Sequence, residues 1–531
     1  MRRWTRRNHP ISPQPDPTTP VRPAPSCSTP RTPRPRRTAS GETGSSELSG
    51  PVAVVAAGHP ESARAGAEIL AAGGNAVDAV CAATFAAAVA ESPLTGPGAG
   101  GFLLARDPSG NATLLDFFVT VPGLGPDGRR LDPADLDSFT VPFGGAEQVF
   151  HIGPASVAVP GMVHGLVCAV ERLGRLPLAT VVAPAARVAR HGVVMTPEAA
   201  YLHEILAAML AHTHEAREIF APEGRVRRPG ERFRIPDLAD TLDEIVSAGS
   251  DSMRAGVLAR RMLEHLSPGG GLITADDLTA YEVVERTPLV VRYGETTLIT
   301  NPPPSSGGVL IAAALATIDA NVAAGPAGFY RAVASAGLAA NELRCGPFAD
   351  RLHEPGFATE LLGRASRKPT GTTHASAIDA DGGMASLSSS CGSGGGVVVP
   401  GTGILLNNML GEEDLNPGGF GRLAPGLRMS SMMAPSLIVR DGKPVVAIGS
   451  AGSNRLRSAI LQTVVSIVNG GMDLDAAVAR PRIHPEGDGI DVEGGVPDEA
   501  VAALEADGHL LRRWDGRSLF FGGVSVAGWG P

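Results

Sequence analysis

The stretch TGTTHASAIDADGG, residues 370–383, places two threonines and a histidine directly before an alternating run of small and apolar residues. The alternation predicts a β-strand, and Asp381-Gly382 predicts a tight hairpin turn after it. A threonine hydroxyl is a weak nucleophile unless a base lies beside it. If the chain were cut before Thr372, its own α-amino group, with an ordinary pKa of about 7.7–8.0, would be that base. The local sequence therefore leaves two interpretations open, an ordinary turn and an N-terminal nucleophile.

The composition limits the class of protein. The chain has 531 residues, with 67 glycines, 45 prolines and only 4% aromatic residues, so its core must be built mainly from Ala, Val and Leu. The length suits two to four average domains or one large α/β unit. A net charge of −9 spread along the chain argues against a nucleic-acid partner, which would require a basic face. No apolar run is long enough to span a membrane.

The five cysteines are widely spaced and include no CxxC pair, which argues against both a disulfide framework and a zinc site. We expect reduced, mostly buried thiols.

Residues 1–50 differ from the rest of the chain. They are rich in Pro, Ser, Thr and Arg and contain almost no apolar residues, which predicts a disordered tail. The arginine pairs at 2–3 and 6–7 suggest a secretion signal, but no apolar segment of the required length follows them. A basic tail or a wrongly assigned start codon explains the segment better, and the cytoplasm is favoured over export.

The remaining sequence predicts separate blocks of helices and strands. Residues 61–92 predict two Ala-rich helices broken at Gly73-Gly74, and helical patterns dominate 161–270. Strands are predicted on either side of 107–110, and they return after residue 370, with a second hairpin turn at Asp441-Gly442. Mixed blocks of this kind favour a layered α+β fold over a doubly wound one.

Some chemically suggestive stretches have ordinary interpretations. GPGAGGF (96–102) lacks the glycine spacing and the lysine of nucleotide-binding loops, so its glycines are expected to let the backbone approach a strand or a ligand closely. His212, His214 and Glu215 are expected on a solvated helix face, and no metal site is predicted. Asp379 and Asp381 are expected to form a turn. GSAGSNR (449–455) suits either an oxyanion site at a helix start or a plain strand–helix turn.

Eight short stretches, taken together, resemble the gamma-glutamyltransferase (gamma-glutamyltranspeptidase) family of N-terminal nucleophile hydrolases. The resemblance covers about residues 51–525 and keeps the family's order and spacing. The stretches are GGNAVDAV (73–80), GPGAGGF (96–102), VAVPGMVHGL (157–166), NPPPSSGG (301–308), TTHASAIDADG (372–382), PGTGILLNN (400–408), MSSMMAP (429–435) and GSAGSNR (449–455).

This resemblance implies a four-layer αββα sandwich made as one precursor and cut by itself between Gly371 and Thr372. Residues 51–371 would form the large subunit and residues 372–531 the small one. Thr372 would be the nucleophile and, through its new amine, the base; Thr373 and His374 would lead into the first core strand. Acyl transfer from a small-molecule amide or peptide would run through an acyl-threonine ester, and no cofactor is implied.

The same resemblance assigns further residues of the site. The backbone N–H groups of Gly452 and Ser453 match the pair that forms the family's oxyanion hole. Ser430 and Ser431 match a serine pair that contacts the substrate carboxylate. Ser390 falls near a threonine that supports the nucleophile.

Three departures from the family's pattern affect how the site would recognise its substrate. Phe118 stands where the family has an arginine that clamps the substrate α-carboxylate, so a bidentate cation is replaced by an apolar ring. Glu412 or Glu413 would have to replace the aspartate that binds the substrate α-amino group. The asparagine expected after Ser390 is also replaced by glycine and serine.

Several functions stay open at this point. The leading interpretation is a self-processing threonine amidohydrolase or acyltransferase, whose acyl group is either gamma-glutamyl or, as in cephalosporin-acylase-like members, another group. An uncleaved, non-catalytic homologue that binds a small molecule or a protein is the alternative from a different class. A metalloenzyme is the third possibility.

Overall fold

The computed structural model describes residues 52–142, 147–319, 325–343, 351–354, 372–416, 418–452 and 454–529. The predicted N-terminal tail, Gly371 and Ser453 lie outside these ranges.

The strands are numbered in chain order through the described ranges. They are β1 (Val54–Ala57), β2 (Gly100–Arg106), β3 (Ala112–Phe117), β4 (Asp137–Pro142), β5 (Glu147–Ile152), β6 (Val193–Val194), β7 (Arg232–Phe233), β8 (Val284–Arg286), β9 (Leu289–Tyr293), β10 (Thr296–Thr300), β11 (Thr373–Ile378), β12 (Met384–Ser390), β13 (Val398–Val399), β14 (Ile404–Leu405), β15 (Ser436–Arg440), β16 (Lys443–Ala451), β17 (Ile483–Glu486), β18 (Gly489–Val492), β19 (Leu510–Arg513) and β20 (Gly523–Gly528).

The α-helices are numbered in the same way. They are α1 (Pro60–Ala71), α2 (Ala76–Ala90), α3 (Met162–Leu173), α4 (Leu178–His191), α5 (Pro197–Ile205), α6 (Ala207–Leu210), α7 (His214–Phe220), α8 (Asp237–Ala248), α9 (Asp251–Arg254), α10 (Val257–Leu266), α11 (Ala275–Ala280), α12 (Gly307–Thr317), α13 (Gly325–Glu342), α14 (Arg455–Val468), α15 (Leu474–Ala479) and α16 (Asp498–Ala506). Short 3-10 turns occupy Pro133–Asp135, Pro154–Ser156, Ser267–Gly269, Met409–Gly411, Glu413–Leu415 and Leu519–Phe521.

Two antiparallel sheets form the centre of the molecule. The first sheet has six strands in the order β1-β11-β12-β2-β3-β8, and the second has five in the order β20-β16-β15-β10-β9. The sheets face each other and are in direct contact: the Ser386 hydroxyl on β12 donates a hydrogen bond to the carbonyl of Ile448 on β16 over 3.0 Å. An apolar layer between them includes Phe102 and Leu104 from the first sheet and Leu437 from the second.

A helical layer covers the outer face of each sheet. Helices α1 to α4 share one apolar core with the first sheet, and α12, α13 and α14 share another with the second. The result is the predicted four-layer αββα sandwich.

The innermost helix, α2, shows why the local sequence folds this way. Asn75 and Asp78 form a capping box at its start, and each of its residues is buried, so its many alanines allow close packing on every side. The predicted break between two Ala-rich helices is confirmed, since α1 ends at Ala71 and Gly73 adopts a φ of +89°.

The hairpin turns are also confirmed. Strands β11 and β12 pair around Asp381-Gly382, while β15 and β16 pair around Asp441-Gly442. Asp441 and Gly442 have φ values of +50° and +74°, the left-handed conformation that this turn requires.

The described cysteines and His214 follow the expectations from the sequence, whereas His212 precedes α7 and its Nε2 lies 3.2 Å from the carboxylate of Asp137 on β4. Cys81, Cys168 and Cys391 are buried and free, whereas Cys27 and Cys345 lie outside it. His214 is exposed and faces Glu218 on its own helix, and the described residues contain no cluster of side chains suited to a metal ion. No helix found there has the length and apolar character needed to cross a membrane.

Candidate active site

Thr372 precedes β11 and lies where two cavities meet. It is only 4% exposed, yet it lines both a small cavity of about 10 Å³ and a large cavity of about 500 Å³. Strand β11 is an inner strand of the first sheet, so the position of Thr372 is fixed by the pairing of its neighbours. A weakly nucleophilic hydroxyl held between two spaces suits transfer of a group from one side to the other.

Strand register brings Ser390 next to Thr372. Thr373 pairs with Ser389 in the antiparallel ladder, so the next step of the same register sets Thr372 opposite Ser390. Both residues line the small cavity. The Ser390 hydroxyl accepts a hydrogen bond from the N–H of Gly392 over 2.8 Å, which fixes its orientation.

The small cavity is mostly apolar. Its polar members are Thr372, Ser390 and Ser431, and the remaining walls are Phe118, Met409, Leu415, Met432 and Met433. A space of about 10 Å³ holds roughly one water molecule. The methionines are flexible, so they can move to admit a larger group.

Ser431 is held in the wall of the small cavity by the segment before α12. Its carbonyl accepts hydrogen bonds from the Ser305 hydroxyl over 3.0 Å and from the Ser306 N–H over 2.7 Å. Its own hydroxyl accepts from the N–H of Met433 over 3.0 Å. The neighbouring Ser430 is partly exposed and lines neither cavity.

Phe118 supplies an apolar wall at the position where a carboxylate clamp was expected in the family. It is 1% exposed, and its ring stacks on Phe102 at a centroid distance of 5.6 Å. A guanidinium does lie nearby, but Arg428 donates to the carbonyl of Phe118 and to the Tyr281 hydroxyl, and its Nε lies 3.7 Å from Asp116. The charge of Arg428 is therefore directed away from the small cavity.

Glu412 lies behind the wall of the large cavity instead of in it. It is 2% exposed, and its Oε1 lies 2.7 Å from the place where a Cβ on Gly392 would stand. Burial, reinforced by the nearby negative charge of Asp414, raises the pKa of the Glu412 carboxyl well above its ordinary value. Glu412 does not line either cavity.

Gly452 lines the large cavity together with Thr372. It follows the last residue of β16 with a φ of +110°, and a Cβ there would stand 2.4 Å from the Cα of Gly522. Only glycine fits this backbone path. Its proposed partner in the oxyanion hole, Ser453, lies outside the described residues.

The large cavity has an apolar side and a charged side. Strand β5, helix α5 and the C-terminal segment supply the apolar wall, which includes Phe150, Leu202, Ile205, Leu206, Leu519 and Val524. Glu91 and Arg455 are among the charged residues that line this cavity. Sequence reasoning gave neither residue a role: Glu91 belongs to no recognisable motif, and Arg455 ends the GSAGSNR stretch, which was considered only for its backbone N–H groups.

His374 connects the two sheets and is not placed for proton transfer. Its ring nitrogens lie 2.8 Å from the hydroxyls of Ser388 and Ser376, and the ring packs against the Cα of Gly449. Burial lowers the pKa of His374 to about 3, so the ring is neutral at physiological pH. Strand β11 begins at Thr373, which confirms that Thr373 and His374 lead into a core strand.

The chain as a whole has relatives among known proteins. A sequence model of the gamma-glutamyltranspeptidase family matches residues 62–332 and 349–529, most of the chain. The chain belongs to the gamma-glutamyltranspeptidase family. It is therefore an enzyme of the hydrolase and acyltransferase class to which that family belongs, built on the N-terminal nucleophile hydrolase fold.

Individual members of the family carry two kinds of name. The acylase ACY 1 proenzyme of Pseudomonas sp. (strain V22) is 32% identical over 506 residues, which cover 87% of each chain. The glutathione hydrolase proenzyme of Escherichia coli (strain K12) is 30% identical over 494 residues, covering 84% of this chain and 83% of that one. The crystal structure of cephalosporin acylase from Bacillus halodurans superposes with a TM-score of 0.72 at 25% identity, covering 94% of this chain and 97% of that chain.

Within this family member, three of the separate sequence motifs contact one another through Asn407. The Asn407 side chain donates to the carbonyls of Gly98 and Ala158, both at 2.9 Å, and accepts from the N–H groups of Ala158 and Met409, both at 3.1 Å. The Gly98 Cα approaches the Leu405 carbonyl so closely that a Cβ would stand 2.3 Å from it. The glycines at 96–102 thus allow close backbone approach, as expected.

Proposed function

We propose that the chain cuts itself before Thr372 and then transfers or hydrolyses an acyl group through an ester on the Thr372 hydroxyl. Residues 51–371 and 372–531 would then be the two subunits. The observation that carries the proposal is the position of Thr372, opposite Ser390 in the ladder and at the junction of the two cavities.

In the proposed reaction, the α-amino group of Thr372 takes the proton of the Thr372 hydroxyl as Oγ1 attacks the amide carbonyl. The carbonyl oxygen becomes negative and is stabilised by the N–H groups of Gly452 and Ser453. The C–N bond then breaks, the amine leaves with the proton, and the acyl group stays on Oγ1. Water, or a second amine, attacks the ester in the same way and restores the hydroxyl.

We further propose that the acyl group is apolar and not gamma-glutamyl. A glutamyl group carries an α-carboxylate and an α-ammonium, and both require charged partners when they are buried. The small cavity has Phe118 at the expected clamp position, while Arg428 is bonded elsewhere and Glu412 lies outside the lining. The acyl group would occupy the small cavity, and the leaving amine would occupy the large one.

Gamma-glutamyl transfer is the second candidate. Ser431 lines the small cavity beside Thr372, and its hydroxyl could donate a hydrogen bond to a substrate carboxylate. The Escherichia coli relative, whose name is glutathione hydrolase, gives this candidate its support.

The test has two stages. Intact mass and N-terminal sequencing of wild type, Thr372→Ala and Thr372→Ser should give a fragment that begins at residue 372 in the wild type and none in Thr372→Ala. Thr372→Ser retains a hydroxyl and should still be cut, more slowly. A wild-type chain that stays intact after long incubation overturns the proposal.

The second stage compares substrates. The cut enzyme is assayed with p-nitroanilides of gamma-glutamate and of short aliphatic acids, which share one leaving amine. We expect higher kcat/KM for the aliphatic series. A clear preference for gamma-glutamyl-p-nitroanilide favours the second candidate and overturns the proposed acyl specificity.

A further inference from the structure

Glu91 is a carboxylate beside Thr372 to which no role has been given. It is the C-cap residue of α2, and its Oε1 accepts a hydrogen bond from the Ser62 hydroxyl over 2.7 Å. Its Oε2 accepts a hydrogen bond from the hydroxyl of Thr373, the residue after the nucleophile. Glu91, Thr372 and Thr373 line the large cavity together.

This carboxylate lies in an unfavourable place for an anion. The C-terminus of a helix carries partial negative charge, which disfavours a nearby carboxylate. Burial raises the pKa of the Glu91 carboxyl, and hydrogen bonds from the hydroxyls of Thr373 and Ser62 and from the backbone N–H of His59 only partly oppose that effect. None of these three donors carries a charge.

Cleavage before Thr372 would create a cation close to this carboxylate. The new α-ammonium group belongs to the residue directly before Thr373, whose hydroxyl already bonds Glu91. An ammonium provides hydrogen-bond donors and a positive charge, which are the two things that a buried carboxylate needs.

We propose that Glu91 is a positioning residue that receives the α-amino group of Thr372 after cleavage. This role rests on the proposed function. A hydrogen bond from the amine to Glu91 would hold the amine nitrogen in place, so that its lone pair is directed at the Thr372 hydroxyl. The carboxylate would also favour the ammonium form, which raises the pH at which the amine becomes a base.

Other titratable groups face the same cavity from the elements around it. They are His59 before α1, Glu198 on α5, His374 on β11 and Arg455 on α14. His374 is neutral, because burial lowers its pKa to about 3. Glu91 differs from the others because it is bonded to the residue adjacent to the nucleophile.

The test measures the pH dependence of catalysis in the cut enzyme. In Glu91→Gln, the ascending limb of kcat/KM against pH should move to lower pH by about one unit, since loss of a nearby opposite charge shifts a pKa by about 1–3 units. Glu91→Asp keeps the charge and should return the midpoint towards the wild-type value. The matched control is Glu68→Gln on α1, a carboxylate paired with Arg187 away from the cavity, whose midpoint should stay at the wild-type value.

A second readout does not depend on turnover. The rate at which acetic anhydride acetylates the α-amine of Thr372, followed by the mass of the small subunit across pH, should show the same shift in Glu91→Gln. If Glu91→Gln does not fold or stays uncut, Thr373→Val removes the hydroxyl that orients the carboxylate and should shift both midpoints. The cut form of Thr373→Val then replaces Glu91→Gln in both measurements.

The outcomes separate the two proposals. If the wild type is cut and active, and Glu91→Gln (or Thr373→Val in its place) has the same pH midpoints as the wild type, the role of Glu91 is overturned and the proposed function stands. An uncut, inactive wild type overturns the proposed function and the role of Glu91 with it.

Discussion

Replacing Asn407 with alanine should destabilise the molecule more than the same change at the adjacent Asn408. Both side chains are 0% exposed, so the two variants remove the same atoms from equally buried sites. Asn407 makes four hydrogen bonds of 2.9–3.1 Å to the backbone of Gly98, Ala158 and Met409. Asn408 accepts one of 3.0 Å from Ser393, while the two that it donates to His151 and Ser393 are long, at 3.3 and 3.5 Å. Its side chain also interacts with the Glu412 carboxyl.

The expected sizes follow from these bonds. A buried polar group left without a partner costs about 1–3 kcal/mol, so four groups at the lower end give about 4 kcal/mol for Asn407→Ala. One good bond and two weak ones give about 1–2 kcal/mol for Asn408→Ala. The loss of side-chain volume is the same in both variants and cancels in the comparison.

Thermal unfolding followed by circular dichroism measures the difference. Asn407→Ala should lower the midpoint at least twice as much as Asn408→Ala, at equal protein concentration and equal extent of chain cleavage. Equal midpoints for the two variants would refute the reasoning, because they would mean that the Asn407 side chain does not hold the three segments together.

Two further predictions concern the acyl site and pH. Phe118→Ala should raise the ratio of kcat/KM for long over short aliphatic p-nitroanilides, because it removes a wall of the small cavity. It should also lower the free energy of unfolding by about 3–5 kcal/mol. An unchanged kcat/KM ratio would contradict the placement of the acyl group. Glu412 has a pKa above its ordinary value of 4.5, so the native state holds a proton that the unfolded chain has released, and stability should fall as the pH rises. Glu412→Gln should therefore unfold at a higher temperature than wild type at about pH 8 and show a smaller difference at about pH 5; parallel curves contradict this.

The layers of the fold could be predicted because their signals are local. The glycine break between α1 and α2 and the Asp-Gly turns after β11 and β15 each depend on a few adjacent residues. Alternating polarity then identifies the strands between such turns. The pairings β1-β11 and β12-β2 could not be predicted, because each joins strands separated by hundreds of residues.

The contacts around Thr372 could not be predicted for the same reason, since they join residues that are distant in the sequence. Glu91 and Thr373 are 282 positions apart, and no spacing rule relates a helix C-cap to a distant strand. A glutamate at the end of an Ala-rich helix is usually interpreted as a solvated side chain. In the same way, Glu412 could be named as a candidate from its motif, but its burial behind Gly392 depends on how the segment after β14 packs.

The residues around Thr372 lie on two kinds of segment, strand ends and connecting segments. This difference explains why the sequence predicts the reaction class more readily than the acyl group. Thr372, Ser390 and Gly452 lie at strand ends of the two central sheets, where ladder pairing fixes the backbone. Phe118 follows the end of β3, and Met409 lies in a 3-10 turn, so both belong to connecting segments. Connecting segments change without disturbing the sheets, and side chains on them usually determine which ligand is accepted. A chain can therefore keep a nucleophile and the backbone beside it while an apolar wall replaces a carboxylate clamp. Because the reacting groups and the acyl-binding walls lie on different segments, we expect the family's reaction on a different acyl group.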